Sequence, residues 1–175
     1  AEEIPKYPQV PRRKMGKTGV KVSCLALGTI TDLINKQIVL RTALRWGVDY
    51  WDTARSYANG NSELGIGKFL SKNPQVRKRL FLVTKASGAK TAEDVEGCLQ
   101  ASLKRMNTKY GGLFYGVHVL NNISQLKDEL KPWAESAKKR GLIKYFGFST
   151  HSNMAQNLAA AAKLDWIDGI LVRYN

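Results

Sequence analysis

Apolar residues in this chain come in short runs, and the runs alternate with stretches of helical spacing. Residues 24–28, 48–52, 80–84, 113–118, 143–148 and 167–172 are nearly continuous apolar segments, with little of the in–out alternation of a half-exposed strand. Such segments predict strands buried on both faces, as in a parallel sheet covered by helices. Between them the apolar positions fall three and four apart. Residues 36–46 place Ile38, Leu40, Ala43 and Leu44 on one face and close on Gly47. Residues 62–70 predict a helix capped by Asn61 or Ser62, residues 91–105 one with Thr91 and Asp94 as a capping box, and residues 124–140 and 153–164 two more. At the start, residues 12–15 and 20–23 flank Gly19 as a small β-hairpin. Pro5, Pro8 and Pro11 mark residues 1–11 as an extended arm, which leaves 12–175 as one domain.

Six strands separated by five helices define an α/β protein, and two architectures compete for it. One is an open doubly wound sheet, the other a closed (β/α)8 barrel. A barrel needs eight strands, so that reading expects two more β/α units beyond Asn175. The longest apolar runs are far short of the ~20 residues that span a bilayer, so no membrane span is expected. Cys24 and Cys98 share no metal spacing, and neither a disulfide nor a metal site is expected. The start at Ala1 without a methionine leaves a cytoplasmic protein and one exported after leader cleavage both open.

Charge adds one feature. The chain carries 28 Lys and Arg against 14 Asp and Glu, a net +14, with clusters at Arg12-Arg13-Lys14, Arg77-Lys78-Arg79 and Lys138-Lys139-Arg140. Such a surface attracts polyanions. The clusters read as lying on different faces, and cations at helix C-termini complement the dipole there, so no nucleic-acid partner is expected.

The chemistry sits where the strands end. The strand at 48–52 closes on Asp52, that at 80–84 is followed by Lys85, that at 113–117 by His118, and that at 143–148 by Ser149, Thr150 and His151. In parallel α/β proteins the strand C-termini form one rim, and active sites lie on it. Tyr57 falls in the loop past Asp52. An ordinary phenol, with a pKa of about 10, donates a proton poorly at neutral pH, and a neighbouring ammonium favours its ionised form. A carboxylate can hold and aim that ammonium, and an imidazole can orient a carbonyl oxygen. The four side chains therefore suit delivery of a proton to a carbonyl oxygen while hydride arrives at carbon.

Asp52-Thr53-Ala54-x-x-Tyr57-x-x-Gly60-x-Ser62-Glu63-x-x-x-Gly67 resembles the signature of the aldo-keto reductases. Met15 to Thr29, Val83-Thr84-Lys85, Ser102 to Met106 and Gly141 to Ser149 resemble further segments of that family, so the resemblance runs from about Lys14 to Asn175. It implies a (β/α)8 TIM barrel with about six strands present. It implies a catalytic set of Asp52, Tyr57, Lys85 and His118 with Tyr57 as acid, and NADPH, or NADH, contacted by Thr29, Asp52, Ser149 and Thr150. The implied partner is a small-molecule carbonyl substrate, and the oligomeric state stays open. Departures occur at Thr150-His151, at Thr108 to Gly112, and at Leu171, where relatives often carry Gln for the nicotinamide carboxamide. Those at Thr150 and Leu171 motivate an alternative, a cofactor-binding regulatory or structural barrel with little turnover. Trp51, Tyr57 and Leu120 are candidates for an apolar substrate pocket, or for the core.

Overall fold

The computed structural model describes residues 7–174. The part of the extended arm formed by residues 1–6, together with Asn175, lies outside them. The hairpin forms from β1 (Arg12–Lys14) and β2 (Lys21–Ser23), paired antiparallel around a 3-10 turn that ends on Gly19 at φ 71°. Then follow β3 (Ala26–Gly28), α1 (Gln37–Arg45), β4 (Tyr50–Asp52), α2 (Asn61–Lys72), β5 (Phe81–Ser87), α3 (Ala92–Arg105), β6 (Gly111–Leu120), α4 (Leu130–Lys139), β7 (Ile143–Thr150), α5 (Met154–Ala161) and β8 (Gly169–Val172).

The six strands β3 to β8 pair in parallel, in chain order. That order decides between the two architectures. A doubly wound sheet reverses direction at a switch point so that helices cover both faces. Here the order never reverses, and right-handed crossovers put every helix on the same side. The other face curls inward, giving six strands of a (β/α) barrel with the hairpin at its base.

Side-chain parity along the strands separates the layers. Trp51, Leu82, Phe114, Phe146 and Phe148 face outward into two clusters packed under the helices. Tyr50, Phe81, Val83, Leu113, Tyr115, Tyr145 and Leu171 face inward and form the barrel core, closed at the base by Met15, Val20 and Val22. Trp51 and Leu120 are core residues with no exposed surface and line no substrate pocket.

Several boundaries move. In place of a helix over 124–140 there is a 3-10 turn at Ile123–Gln125, boxed by Asn122 and Gln125, and α4 begins only at Leu130. Pro132 then falls within the first turn, where its missing N–H costs nothing. Thr91 and Asp94 do form a capping box. Neither Asn61 nor Ser62 caps α2; Gly60 precedes it at φ 92°, and the Ser62 hydroxyl is used elsewhere.

The basic clusters share one face. Arg12 pairs with Asp49 just before β4, Pro74–Arg79 forms the turn leading into β5, and Lys138 bonds Asp168 just before β8. Lys17 reaches the carbonyl of Asp165 in the same region. Helices that run antiparallel to the strands bring their basic C-termini to the strand N-termini, so all three clusters surround the base. No helix among the described residues is long and apolar enough to cross a membrane.

The Phe146 ring stacks on Trp166 at 5.4 Å between centroids and meets Trp133 edge-on at 5.8 Å. Phe146→Ala should lower unfolding stability by about 3–5 kcal/mol, whereas exposed Lys139→Gln should change it by less than about 0.5 kcal/mol. Urea unfolding of both variants checks this, and a Phe146→Ala loss below about 1 kcal/mol would contradict the packing described.

Candidate active site

Inward parity continues up the strands and carries polar residues to the rim. On β4 the inward side chains are Tyr50 and then Asp52; on β5 they are Phe81, Val83 and then Lys85. Register sets Asp52 beside Val83, so Lys85 stands one inward step above Asp52. The Lys85 ammonium has no exposed surface. It donates to Asp52 Oδ1, to the Thr53 carbonyl at 2.8 Å and to the Tyr57 hydroxyl at 3.4 Å, and sits 4.8 Å from the centre of the Tyr57 ring. These contacts join β4, β5 and the loop after β4 at one cation.

His118 reaches the same rim through a bulge. Lys85 pairs with Tyr115 and Ser87 with His118, so β6 spends three residues where β5 spends two. The extra residue flips the alternation, and an even-numbered histidine joins an odd-numbered inward set. The His118 and Tyr57 rings lie 6.5 Å apart, edge to face. His118 Nδ1 shares a 2.7 Å hydrogen bond with Ser149 Oγ, which arrives inward from β7. Asp52, Tyr57, Lys85 and His118 thus converge, with Ser149 as the partner of His118.

The other residues expected at a cofactor divide. Thr29 is buried, and its hydroxyl donates to the Asp52 carbonyl at 2.9 Å. Ser62 Oγ bonds Thr29 Oγ1 at 2.8 Å and Thr53 Oγ1 at 2.7 Å, forming a hydroxyl cluster behind Asp52 that sequence reading missed although Ser62 lies in the signature. Thr150 has the opposite parity to Ser149. Its hydroxyl donates to the Ser152 carbonyl and lies 3.2 Å from Asn157 Nδ2 on α5, on the helix side of the sheet. Asp52 Oδ2 is a buried acceptor at the mouth that finds no hydrogen-bond donor among the described residues.

Burial pushes the Asp52 carboxyl above the usual carboxylate range, and the Lys85 ammonium opposes that shift. Burial also raises the Tyr50 phenol to about 12 and pushes the Tyr115 phenol up, which keeps both neutral beneath the Asp52–Lys85 pair. His118 is lowered from 6.5 to about 4, first by burial and then by the positive charges of Lys85 and His151. At neutral pH it is a neutral imidazole, with one N–H to donate and one nitrogen to accept.

A (β/α) barrel with a lysine–carboxylate pair, a tyrosine and a neutral histidine at the strand C-termini is an enzyme-type scaffold with its polar residues where such barrels place active sites. Residues 29–175 match the model of the aldo/keto reductase family, and the chain belongs to that family. An aldo-keto reductase of Gibberella moniliformis is 28% identical over 175 residues, covering 95% of this chain and 51% of its own length. Among solved structures, the holo form of an aldo-keto reductase from Bacillus halodurans superposes with a TM-score of 0.80 at 25% identity, covering 95% of this chain and 58% of that one. A thermostable aldo-keto reductase solved with the inhibitor epalrestat gives a TM-score of 0.75 at 26% identity, over 95% and 63% of the two chains. The chain therefore spans about half the length of the curated Gibberella moniliformis relative.

The His118 shift has a measurable consequence. Its folded value lies below the unfolded one, so between about 4 and 6.5 the unfolded chain binds more protons. This contribution to stability is complete above about 6.5 and is lost as pH falls through that window. The imidazole resonances of His118 should titrate with a midpoint near 4 in the folded protein; a midpoint at or above 6.5 would contradict the burial assigned to it.

Proposed function

We propose that this chain carries the catalytic rim of an NAD(P)H-dependent reductase that converts aldehydes or ketones to alcohols, with Tyr57 as the general acid. One observation carries the reading. In a chain of the aldo/keto reductase family, Lys85 bonds Asp52, Thr53 and Tyr57 at the barrel mouth, with the His118 ring beside Tyr57.

When bound, the reduced nicotinamide supplies the hydride that forms the new C–H bond at the carbonyl carbon. Tyr57 donates its phenolic proton to the carbonyl oxygen, which becomes the hydroxyl. Lys85 faces the phenolic oxygen and stabilises the negative charge left there as the proton departs. Asp52 holds Lys85 in that position. His118, neutral and fixed by Ser149, offers its remaining ring nitrogen toward the substrate oxygen and orients it. Proton donation of this kind typically contributes 10²–10⁴-fold. Asp52 and Ser149 are the rim residues that would hold the nicotinamide end of the cofactor. Thr29 acts from behind Asp52, and Thr150 from the helix side of β7. The free thiols of Cys24 and Cys98 suit a reducing, cytoplasmic setting.

Tyr57→Phe leaves the ring in place and removes the proton. In the full-length protein it should lower carbonyl-dependent NADPH oxidation by at least about 10²-fold, with cofactor affinity within a few-fold of wild type. Wild-type turnover in Tyr57→Phe would remove Tyr57 from its role. Tight NADPH binding by wild type without turnover on any aldehyde or ketone of a broad panel would favour the regulatory-module alternative, which Leu171, packed among apolar side chains inside the barrel, motivates.

A further inference from the structure

The signature around Tyr57 contains residues that touch neither Lys85 nor His118, and the structure gathers them around one side chain. Arg105 stands at the end of α3, and its guanidinium carbon is 3.3 Å from where a Cβ on Gly60 would lie. A Cβ on Gly67 would lie 2.0 Å from the Arg105 carbonyl oxygen, so α2 and α3 approach this closely only with glycine there. Arg105 Nη1 donates to the Arg55 carbonyl at 3.2 Å and to Glu63 Oε2 at 3.3 Å. Glu63 is fully buried, and its Oε1 accepts from the Thr84 hydroxyl at 2.7 Å. Thr84 is the residue before Lys85, and Arg55 lies two residues before Tyr57.

These contacts close a ring. It runs from Lys85 to Thr84 along β5, to Glu63, to Arg105, to the Arg55 carbonyl, along the loop to Tyr57, and back to Lys85 across the 3.4 Å gap. The loop in question is not held by its own backbone preference. Ala58 and Asn59 have φ of 48° and 55°, and Gly60 has φ of 92°, so three successive residues occupy the left-handed region. Non-glycine residues there cost free energy and persist only where the surroundings impose them. Arg105 brackets them, bonded to the Arg55 carbonyl on one side and lying against Gly60 on the other, and Arg55 Nη1 on Cys98 Sγ at 3.0 Å adds a second tie from the same loop to α3.

We propose that Glu63 and Arg105 are positioning residues that set the distance between Tyr57 and Lys85. The inference rests on the acid role assigned to Tyr57. Arg105 holds the loop, Glu63 anchors Arg105 to the lysine strand, Gly60 leaves room for the guanidinium, and Gly67 lets the backbone that carries it lie against α2. The ion pair has one member with no exposed surface, so removing Arg105 alone strands a buried carboxylate and costs stability for reasons unrelated to position.

The experiment is therefore a cycle built on the neutral pair Glu63→Gln with Arg105→Gln, which removes both charges together, crossed with Tyr57→Phe. Full-length proteins are compared by single-turnover hydride transfer to an aldehyde, by NADPH affinity and by thermal midpoint. The neutral pair should slow hydride transfer by on the order of 10²-fold, the cost of displacing a reacting group by about 1 Å, while cofactor affinity holds within a few-fold. In the Tyr57→Phe background the same pair should cost almost nothing more, because the proton it positions is gone. Arg105→Lys, which keeps the charge and shortens the reach, should recover only part of the rate. Equal, additive losses in both backgrounds overturn the inference and leave Glu63 and Arg105 as structural residues. So does a neutral pair that transfers hydride at the wild-type rate. If the neutral pair does not fold, Arg105→Lys crossed with Tyr57→Phe decides by the same criterion. Wild-type turnover in Tyr57→Phe alone is a separate outcome, which overturns the acid role on which the inference stands.

Discussion

An ammonium with no exposed surface has to find all its partners in the protein, and the upper half of this barrel is arranged around that need. Lys85 has three N–H donors and uses them on the Asp52 carboxylate, the Thr53 carbonyl and the Tyr57 hydroxyl. Leaving a buried charge uncompensated costs several kcal/mol. The cation therefore couples strand pairing to loop shape. β4 must lie beside β5 in the register that puts Asp52 next to Val83. The chain after β4 must also fold back over the strand ends to present a carbonyl and a phenol. Thr29, Ser62 and Thr53 support that fold from behind, and Ser56 Oγ meets Ser87 Oγ at 2.9 Å on the other side of Lys85.

The same cation explains what a linear reading can see. Asp52, Lys85, His118 and Ser149 each close an apolar run, and a polar residue at the end of a buried strand needs a partner across the rim. For Asp52, Lys85 and Ser149 the convergence follows from parallel pairing alone. The relation between neighbouring residues is harder to see. Ser149 and Thr150 look equivalent in sequence, but one residue of strand parity sends the first to His118 and the second to Asn157 on α5. His118 breaks the parity of its own strand, and only the bulge against β5 restores it to the mouth. Within the run Leu113 to Leu120 the hint of an extra residue is Gly116, a lone glycine in a strand pattern, which lies where the register shifts.

Arg105 is the clearest case of information that sequence holds without showing. As one of two basic residues ending α3 it reads as a dipole-complementing cation, which its neighbour Lys104 is. What separates the two is a pair of glycines more than thirty residues earlier: Gly60 opens the space the Arg105 guanidinium enters, and Gly67 lets the backbone that carries it lie against α2. Spacing within the signature explains why those positions lack side chains only once α3 is in place against α2.

The base presents the reverse situation, a conspicuous sequence feature that has little bearing on the site. Net charge of +14 suggests a field strong enough to tune any titrating group. The fold instead gathers the basic clusters around the strand N-termini, while Asp52, Lys85 and His118 stand at the C-terminal ends. Asp52 stands three residues past Asp49, the partner of Arg12, and Lys85 six past Arg79, so the strands separate the two sets of charges by roughly 10–20 Å. That is about one to two and a half Debye lengths at physiological ionic strength. Exposed cations at the base are partly screened over that distance, and the groups that shift His118 are local: its own burial, Lys85 and His151. Salt should consequently alter how the base meets anions far more than it alters proton delivery at the mouth, where the controlling charges are buried and paired.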